Sequence, residues 1–404
     1  MMRRNVGILS ACQALMMSAM TLIMPTSVLI GATLADEPEW ATVPITFMFL
    51  GMLVATYPAS LLMQRIGRRA GFLFVLMFAT VGILLATYAI VNREFELFCF
   101  SFWLIGTFNG FGHYYRFAAA DVASEGYRSR AIAWVMAGGV VAAIVGPTLA
   151  KFTREIVFNA PFAASYACLL LFYLASMVLL RFARIPQPTV EEQRDVPRPL
   201  IRIATQPTFF VAVFCGVVAY GSMNFLMTST PLAMAGCGLS FDDMVLVVQW
   251  HVLGMFAPAF VTGHLIKRFG VTIIMGIGGL ILLACGVINL SGVTLPHFLA
   301  GLFLLGIGWN FVFIGATTLV TETYSPAEKA KTQGFNDLLV FGTVTLTALT
   351  SGYLHEYYGW QWLNIAVLPF IVLAIIAIVW LHRSRLARPV VAALRSDESM
   401  IALE

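Results

Sequence analysis

The chain has 404 residues, 60% of them hydrophobic and only 11% charged, with a mean hydropathy of +0.87. A soluble domain carries about 25% charged residues to face water, so a soluble surface is excluded and the bilayer must be the solvent. The net charge of +4 comes without any dense basic run, which excludes nucleic acid as a partner. The six cysteines (Cys12, Cys99, Cys168, Cys215, Cys237, Cys285) lie in or beside apolar runs without CxxC spacing. They read as small buried hydrophobes, so no disulfide framework, metal site or cofactor is expected.

From Met1-Met2-Arg3-Arg4 an apolar run reaches Ala35, too long for the ~7–15-residue core of a signal peptide. It reads as the first of twelve spans, predicted at 6–33, 41–63, 70–91, 97–120, 130–150, 161–182, 207–232, 242–266, 271–291, 295–320, 331–354 and 361–381. Each can cross a ~30 Å core as a helix, the open-ended element that satisfies its own backbone in lipid. With an inside N-terminus, twenty Lys and Arg fall on the inner side and only Arg93, Lys151 and Arg154 on the outer, with Arg116 inside a span. That bias predicts an even number of spans with both termini cytoplasmic. The one long polar stretch between spans, from Arg184 to Gln206, holds Pro186, Pro188, Glu191, Glu192, Asp195, Pro197 and Pro199 and reads as a linker. The expected organisation is a six-helix bundle over 1–183, a cytoplasmic linker over 184–206, a second six-helix bundle over 207–382 and a tail over 383–404.

The two halves repeat. Leu50-Gly51-Met52 matches Leu253-Gly254-Met255, and Leu62, Arg65 and Gly67 match Leu265, Arg268 and Gly270. Further on, Leu104 and Gly106 match Leu304 and Gly306, and Asp121 falls beside Glu322. Repeated halves suit a carrier that rocks about a central site.

Ser60-Leu61-Leu62-Met63-Gln64-Arg65-Ile66-Gly67-Arg68-Arg69, after the second span, resembles the loop signature of the major facilitator superfamily, Gly-x-Leu-x-Asp-Arg-x-Gly-Arg-Arg. Gly263-His264-Leu265-Ile266-Lys267-Arg268-Phe269-Gly270 resembles its second copy. The usual aspartate is replaced by Gln64 and Lys267. The resemblance implies an all-α membrane fold of twelve helices in two pseudo-symmetric bundles. It also implies a cytoplasmic latch in which Arg65 and Arg68 face Asp121 while Lys267 and Arg268 face Glu322; the alternative is simple anchoring at the interface. Gly146-Pro147 in the fifth span partly resembles the family's antiporter signature, with Ala150-Lys151 in place of its closing glycines, and also suits close packing. The stretches Tyr114–Asp121 and Gln249–Phe256 are similar to a group of bacterial facilitator-type proteins with no common substrate, which implies the bacterial inner membrane.

Charge or polarity inside a span needs a reason, since a buried charge costs about 2.5–3.5 kcal/mol on insertion scales. Arg116, with His113 and Tyr114 close by on the helix, could face a cavity and attract an anionic or electron-rich solute; the alternative is snorkelling. Asp337 beside Asn336 could carry a proton or be a satisfied polar residue near the inner interface. His251 could titrate near neutral pH or be a hydrogen-bonded packing residue. Gln13, Asn224, Gln249 and Trp309 complete the candidate solute contacts, on mid-span polarity or aromatic character.

The expected activity is secondary active transport of a small organic solute by alternating access, coupled to protons, in a monomer. Aromatic residues and Arg116 suit an aromatic or anionic solute such as a vitamin, siderophore or drug. Import and efflux by antiport both stay open. No Walker sequence argues for ATP drive. An intramembrane enzyme is the different-class alternative, but His355-Glu356-Tyr357-Tyr358-Gly359 lacks a second histidine and no Gly-x-Ser-x-Gly elbow exists. A sensor would need more than this short tail.

Overall fold

The computed structural model describes residues 2–124, 131, 134–185, 198–325 and 328–401; Arg128, Arg130 and the linker segment 186–197 lie outside them. The first half holds α1 (Met2–Leu34), a short 3-10 turn (Pro38–Thr42), α2 (Val43–Ile66), α3 (Arg68–Asn92), α4 (Phe95–Gly112), α5 (Tyr115–Val122), α6 (Gly138–Thr153) and α7 (Ala163–Arg181). The second holds α8 (Leu200–Ala204), α9 (Pro207–Gly236), α10 (Phe241–Phe256), α11 (Ala259–Phe269), α12 (Val271–Ser291), α13 (Leu295–Thr321) and α14 (Lys329–Ile401).

These helices are apolar on every side. On α3, buried Phe72, Val75, Ala79, Ile83, Ala86 and Ile90 share the helix with exposed Phe74, Met77, Val81, Leu84, Tyr88 and Val91. A helix hydrophobic all round belongs in lipid, where the outer stripe meets acyl chains. Ten helices among the described residues are long and apolar enough to cross a membrane. The expected twelve differs at two places. The fourth span is broken between α4 and α5 near His113, and α14 is two helices joined across Gly359, whose backbone is non-helical at φ 74°.

Two hydrophobic cores follow the two halves, one running from Val6 to Ala183 and the other from Ile203 to Leu381. They exchange a few members: Phe341, Val344 and Ala348 of α14 join the first, and Ala143 of α6 the second. The sequence repeat reappears as a repeated crossing. Gly51 of α2 packs on the Trp103 backbone and Gly106 of α4 on the Met48 carbonyl. At the matching places Gly254 packs on the Phe303 carbonyl and Gly306 on that of His251. No Cβ fits at any of the four, so backbones touch as in small-residue membrane crossings. The two loop-signature glycines, Gly67 and Gly270, sit at φ 84° and 93°, backbone that glycine adopts without a steric penalty.

A clamp that sequence reasoning missed ties the linker's far end to the second half. The Arg198 guanidinium donates to both oxygens of the buried Glu328 carboxylate (2.6 and 2.7 Å), which also accepts from the backbone N–H groups of Arg198 and Ser325 (2.9 Å each). The Lys331 ammonium donates to the Arg198 carbonyl. The Arg198 hydrogen bonds, helped by the Ser325 N–H, hold the Glu328 carboxyl well below the usual carboxylate range. A lowered folded-state value stabilises above the ordinary glutamate value of about 4.3 and is lost as pH falls below it. Glu328→Gln should therefore melt earlier than the parent at pH 7. The gap should close as pH drops below about 4; equal melting at pH 7 would remove the clamp from the stability account.

Candidate solute site between the halves

Where the halves face each other at mid-depth, the structure gathers aromatic side chains from both. Trp309 and Phe313 of α13 stack with centroids 5.0 Å apart and planes 14° from parallel. Tyr220 of α9 meets both edge-on (5.5 and 5.2 Å) and also meets Phe341 of α14 (5.9 Å). Phe256 of α10 closes on Trp309 (6.4 Å) and leaves no room for a side chain at Gly139 of α6. From the first half His113 lies tilted over Phe341 (5.6 Å). The Arg116 guanidinium is within electrostatic reach of the Asp337 carboxylate, the Tyr220 hydroxyl and the His113 imidazole. Asp337 also accepts from the Asn336 amide (3.1 Å). A cation of one half and a carboxylate of the other thus flank one aromatic cluster, a surface that can stack on a planar solute and sense its charge.

Arg116, His113, Trp309 and Asp337 are brought together. The other candidates are placed elsewhere or do other work. Tyr114 turns its hydroxyl to the Thr56 carbonyl of α2 (3.3 Å). Gln249 donates across the halves to Thr148 (3.0 Å). His251 bonds through Nδ1 to the Leu302 carbonyl (2.7 Å), as the packing alternative requires. Gln13 is buried on α1. Asn224, one turn beyond Tyr220, donates to the Val344 carbonyl and to Thr347. Tyr220, Phe256, Phe313 and Phe341 escaped sequence reasoning because aromatic residues in so apolar a chain carry no distinguishing spacing; only Phe313, one turn from Trp309, could have been added. Gly146 lies against the Ser18 carbonyl and the Thr21 hydroxyl of α1, a close packing of the fifth span on the first.

The arginine-rich end differs from the latch the family resemblance implies. Arg68 meets Asp121 (2.6 Å) and Arg65 is exposed. Glu322, however, pairs with Arg385 of α14 (2.6 Å). Lys267 and Arg268 are exposed, and Arg268 lies over its neighbour Phe269. The end of α11 is exposed, whereas α14 carries Arg385 beside the end of α13. Among the described residues, the charge pairs at this end each join elements of one half.

At the opposite end the halves are seamed together. Lys151 pairs with Asp242 (2.8 Å), and the Arg154 guanidinium lies over the Phe241 ring (4.9 Å). The 3-10 turn Pro38–Thr42 docks on α14, where Gly352 faces the Glu39 carbonyl and Thr42, and the Tyr357 hydroxyl lies within electrostatic reach of the Glu39 carboxylate. The molecule is closed on this side.

The family model of the Major Facilitator Superfamily matches residues 9–342 and 212–402. The chain is 38% identical to the "Riboflavin transporter RfnT" of Brucella anthropi over 93% of this chain and 95% of that one. It is 27% identical to the "Uncharacterized MFS-type transporter YddS" of Bacillus subtilis over 88% and 86%. In fold it resembles the human organic anion transporter MFSD10 (TETRAN), with a TM-score of 0.65 at 17% identity over 93% of this chain and 99% of that one. Multi-pass, apolar and built from two repeated halves, the chain is a small-solute transporter that belongs to the major facilitator superfamily.

Proposed function

We propose that the protein carries riboflavin, or a close flavin, across the bacterial inner membrane by proton-coupled alternating access. The observation that carries this reading is the aromatic cluster of Tyr220, Phe256, Trp309, Phe313 and Phe341 at the meeting of the halves, in a chain 38% identical to a riboflavin transporter. A flavin ring is flat, large and weakly soluble, and stacked and edge-on aromatics suit it. Arg116 and Asp337 are the proposed coupling pair: a proton on Asp337 cancels its attraction to Arg116 and loosens the halves at the site. The bundles 1–183 and 207–382 are the rocking bodies and 184–206 the linker, with both termini cytoplasmic as the inner-side arginines favour. The seam of Lys151, Asp242 and Gly352 is then the outer gate, and the form described here faces inward. A monomer suffices, since both halves come from one chain.

Uptake by purified protein in liposomes tests the reading. Labelled riboflavin should enter at least tenfold faster than through protein-free liposomes, and an inside-alkaline pH gradient should drive accumulation. Uptake no faster than the control would end the flavin assignment; accumulation indifferent to the gradient would end the coupling.

A further inference from the structure

Tyr220, Asn224 and Thr228 follow one face of α9, each a turn beyond the last. Asn224 gives its amide N–H groups to the Val344 carbonyl and the Thr347 hydroxyl. A carbonyl can only accept, so the amide orientation is fixed, and its Oδ1 is left buried with no partner among the described residues. Thr228 is equally unusual. Thr26, Thr56, Thr80, Thr87, Thr230 and Thr345 all donate to the carbonyl one turn back in their own helices. The buried Thr228 hydroxyl makes no such bond. On α13, the Trp309 indole Nε1–H is also without a partner among the described residues, in a side chain only 7% exposed. Buried polar atoms are nearly always satisfied in folded proteins, and each exception calls for an explanation.

The three groups occupy neighbouring turns of α9 and α13. α9 and α13 run antiparallel, with Gly216 against Ala316 and Tyr220 against Phe313 and Trp309. One more turn outward along both helices sets Asn224 level with Trp309, with Thr228 about 6 Å beyond. The sequence of functions is donor, acceptor, donor: indole N–H, amide oxygen, hydroxyl. Its complement is acceptor, donor, acceptor, which is an imide edge, two ring carbonyls flanking an N–H.

We propose that this wall of the second half reads the imide edge of a planar heteroaromatic solute. Trp309 Nε1–H and Thr228 Oγ–H donate to the two carbonyl oxygens, and Asn224 Oδ1 accepts from the N–H between them. The Trp309, Phe313 and Tyr220 rings cover the flat system behind that edge. The proposal rests on the flavin reading, since a flavin carries such an edge on its pyrimidine ring, and it turns a stacking site into a selective one. A site built to hydrogen-bond a group rejects the analogue lacking it far more strongly than an apolar pocket rejects a shape change.

The test compares riboflavin with N3-methylriboflavin, which keeps both carbonyls and loses only the N–H, by binding to the purified full-length protein. The parent should prefer riboflavin by about thirtyfold or more. Trp309→Phe keeps an aromatic ring and Thr228→Val keeps the side-chain shape. Each should weaken riboflavin binding by about tenfold while melting at the parent's temperature. Equal binding of the two flavins by the parent, or parent-like riboflavin affinity in both variants, overturns the proposal. If the parent binds neither flavin, the flavin reading alone falls. The same comparison with uracil-, pteridine- and xanthine-type imides and their N-methyl counterparts then decides the wall: a preference lost in Trp309→Phe supports it, and no preference in any pair overturns it.

Discussion

Asp337→Asn should reduce proton-driven accumulation of riboflavin to simple equilibration while leaving exchange within a few-fold of the parent. The asparagine keeps the size of the side chain and its capacity to accept from Asn336, but it can neither take up nor release a proton. A proton moving down 100 mV supplies ~2.3 kcal/mol, which sustains about a fifty-fold gradient of solute. Loss of the proposed coupling carboxylate removes that whole factor. Exchange needs no net proton movement, because loaded carriers can swing in both directions, so counterflow separates coupling from binding. Liposomes preloaded with unlabelled riboflavin measure counterflow, and a pH jump measures accumulation. A variant that still accumulates fifty-fold would move the coupling role off Asp337. One that loses counterflow too would make Asp337 part of solute binding.

The second large effect lies at the seam proposed as the outer gate. A Cβ at Gly352 would stand 2.7 Å from the Thr42 hydroxyl and 2.9 Å from the Glu39 carbonyl, both closer than a real Cβ contact. Gly352→Leu drives a wedge between α14 and the 3-10 turn of the other half. Overpacking of this kind costs about 1–3 kcal/mol. The strain is present only while the seam is closed, so it shifts the carrier toward the outward-facing form instead of unfolding it. At 1.4 kcal/mol per factor of ten, the outward population should rise by about tenfold. In a cysteine-free background, Gln249→Cys places a thiol on the seam, where Gln249 now bonds Thr148. A membrane-impermeant maleimide added outside should label it about tenfold faster when Gly352→Leu is also present. Unchanged labelling would mean that the seam does not set the resting orientation.

Much of this was legible in the chain. All-round hydrophobicity announced the spans, and the matched Gly51, Gly106, Gly254 and Gly306 announced the repeated halves, because a glycine at a backbone crossing has no substitute. Arg68 and Asp121 were joined by the family resemblance of the loop signature, not by nearness in sequence. The partner of Glu322 was hidden: Arg385 comes 63 residues later, beyond two further spans, and nothing local marks it out among the arginines that end the last helix. The site was half legible. Arg116 and Asp337 stand out because charge in a span is costly, and Trp309 because indole carries a polar atom. Tyr220, Phe256, Phe313 and Phe341 resemble any lipid-facing aromatic until tertiary packing turns them inward. Asn224 was visible as mid-span polarity, but that its oxygen lacks a partner depends on Val344 and Thr347, more than a hundred residues away.

The repeated glycine crossings also record how the halves diverged. The matched positions lie 203 apart at Gly51 and Gly254, and 200 apart at Gly106 and Gly306. The second half has therefore lost three residues between these points, or the first has gained them. The offset is still 203 at Gly67 and Gly270, where α3 and α12 begin, and α3 has 25 residues against 21 in α12. The change sits at the far tip of a single hairpin and amounts to about one helical turn, ~5 Å of length. An indel of nearly one full turn rotates flanking side chains by only about 60° from where their duplicates point. One half could thus become shallower on one flank after duplication without rotating a greasy face away from the acyl chains.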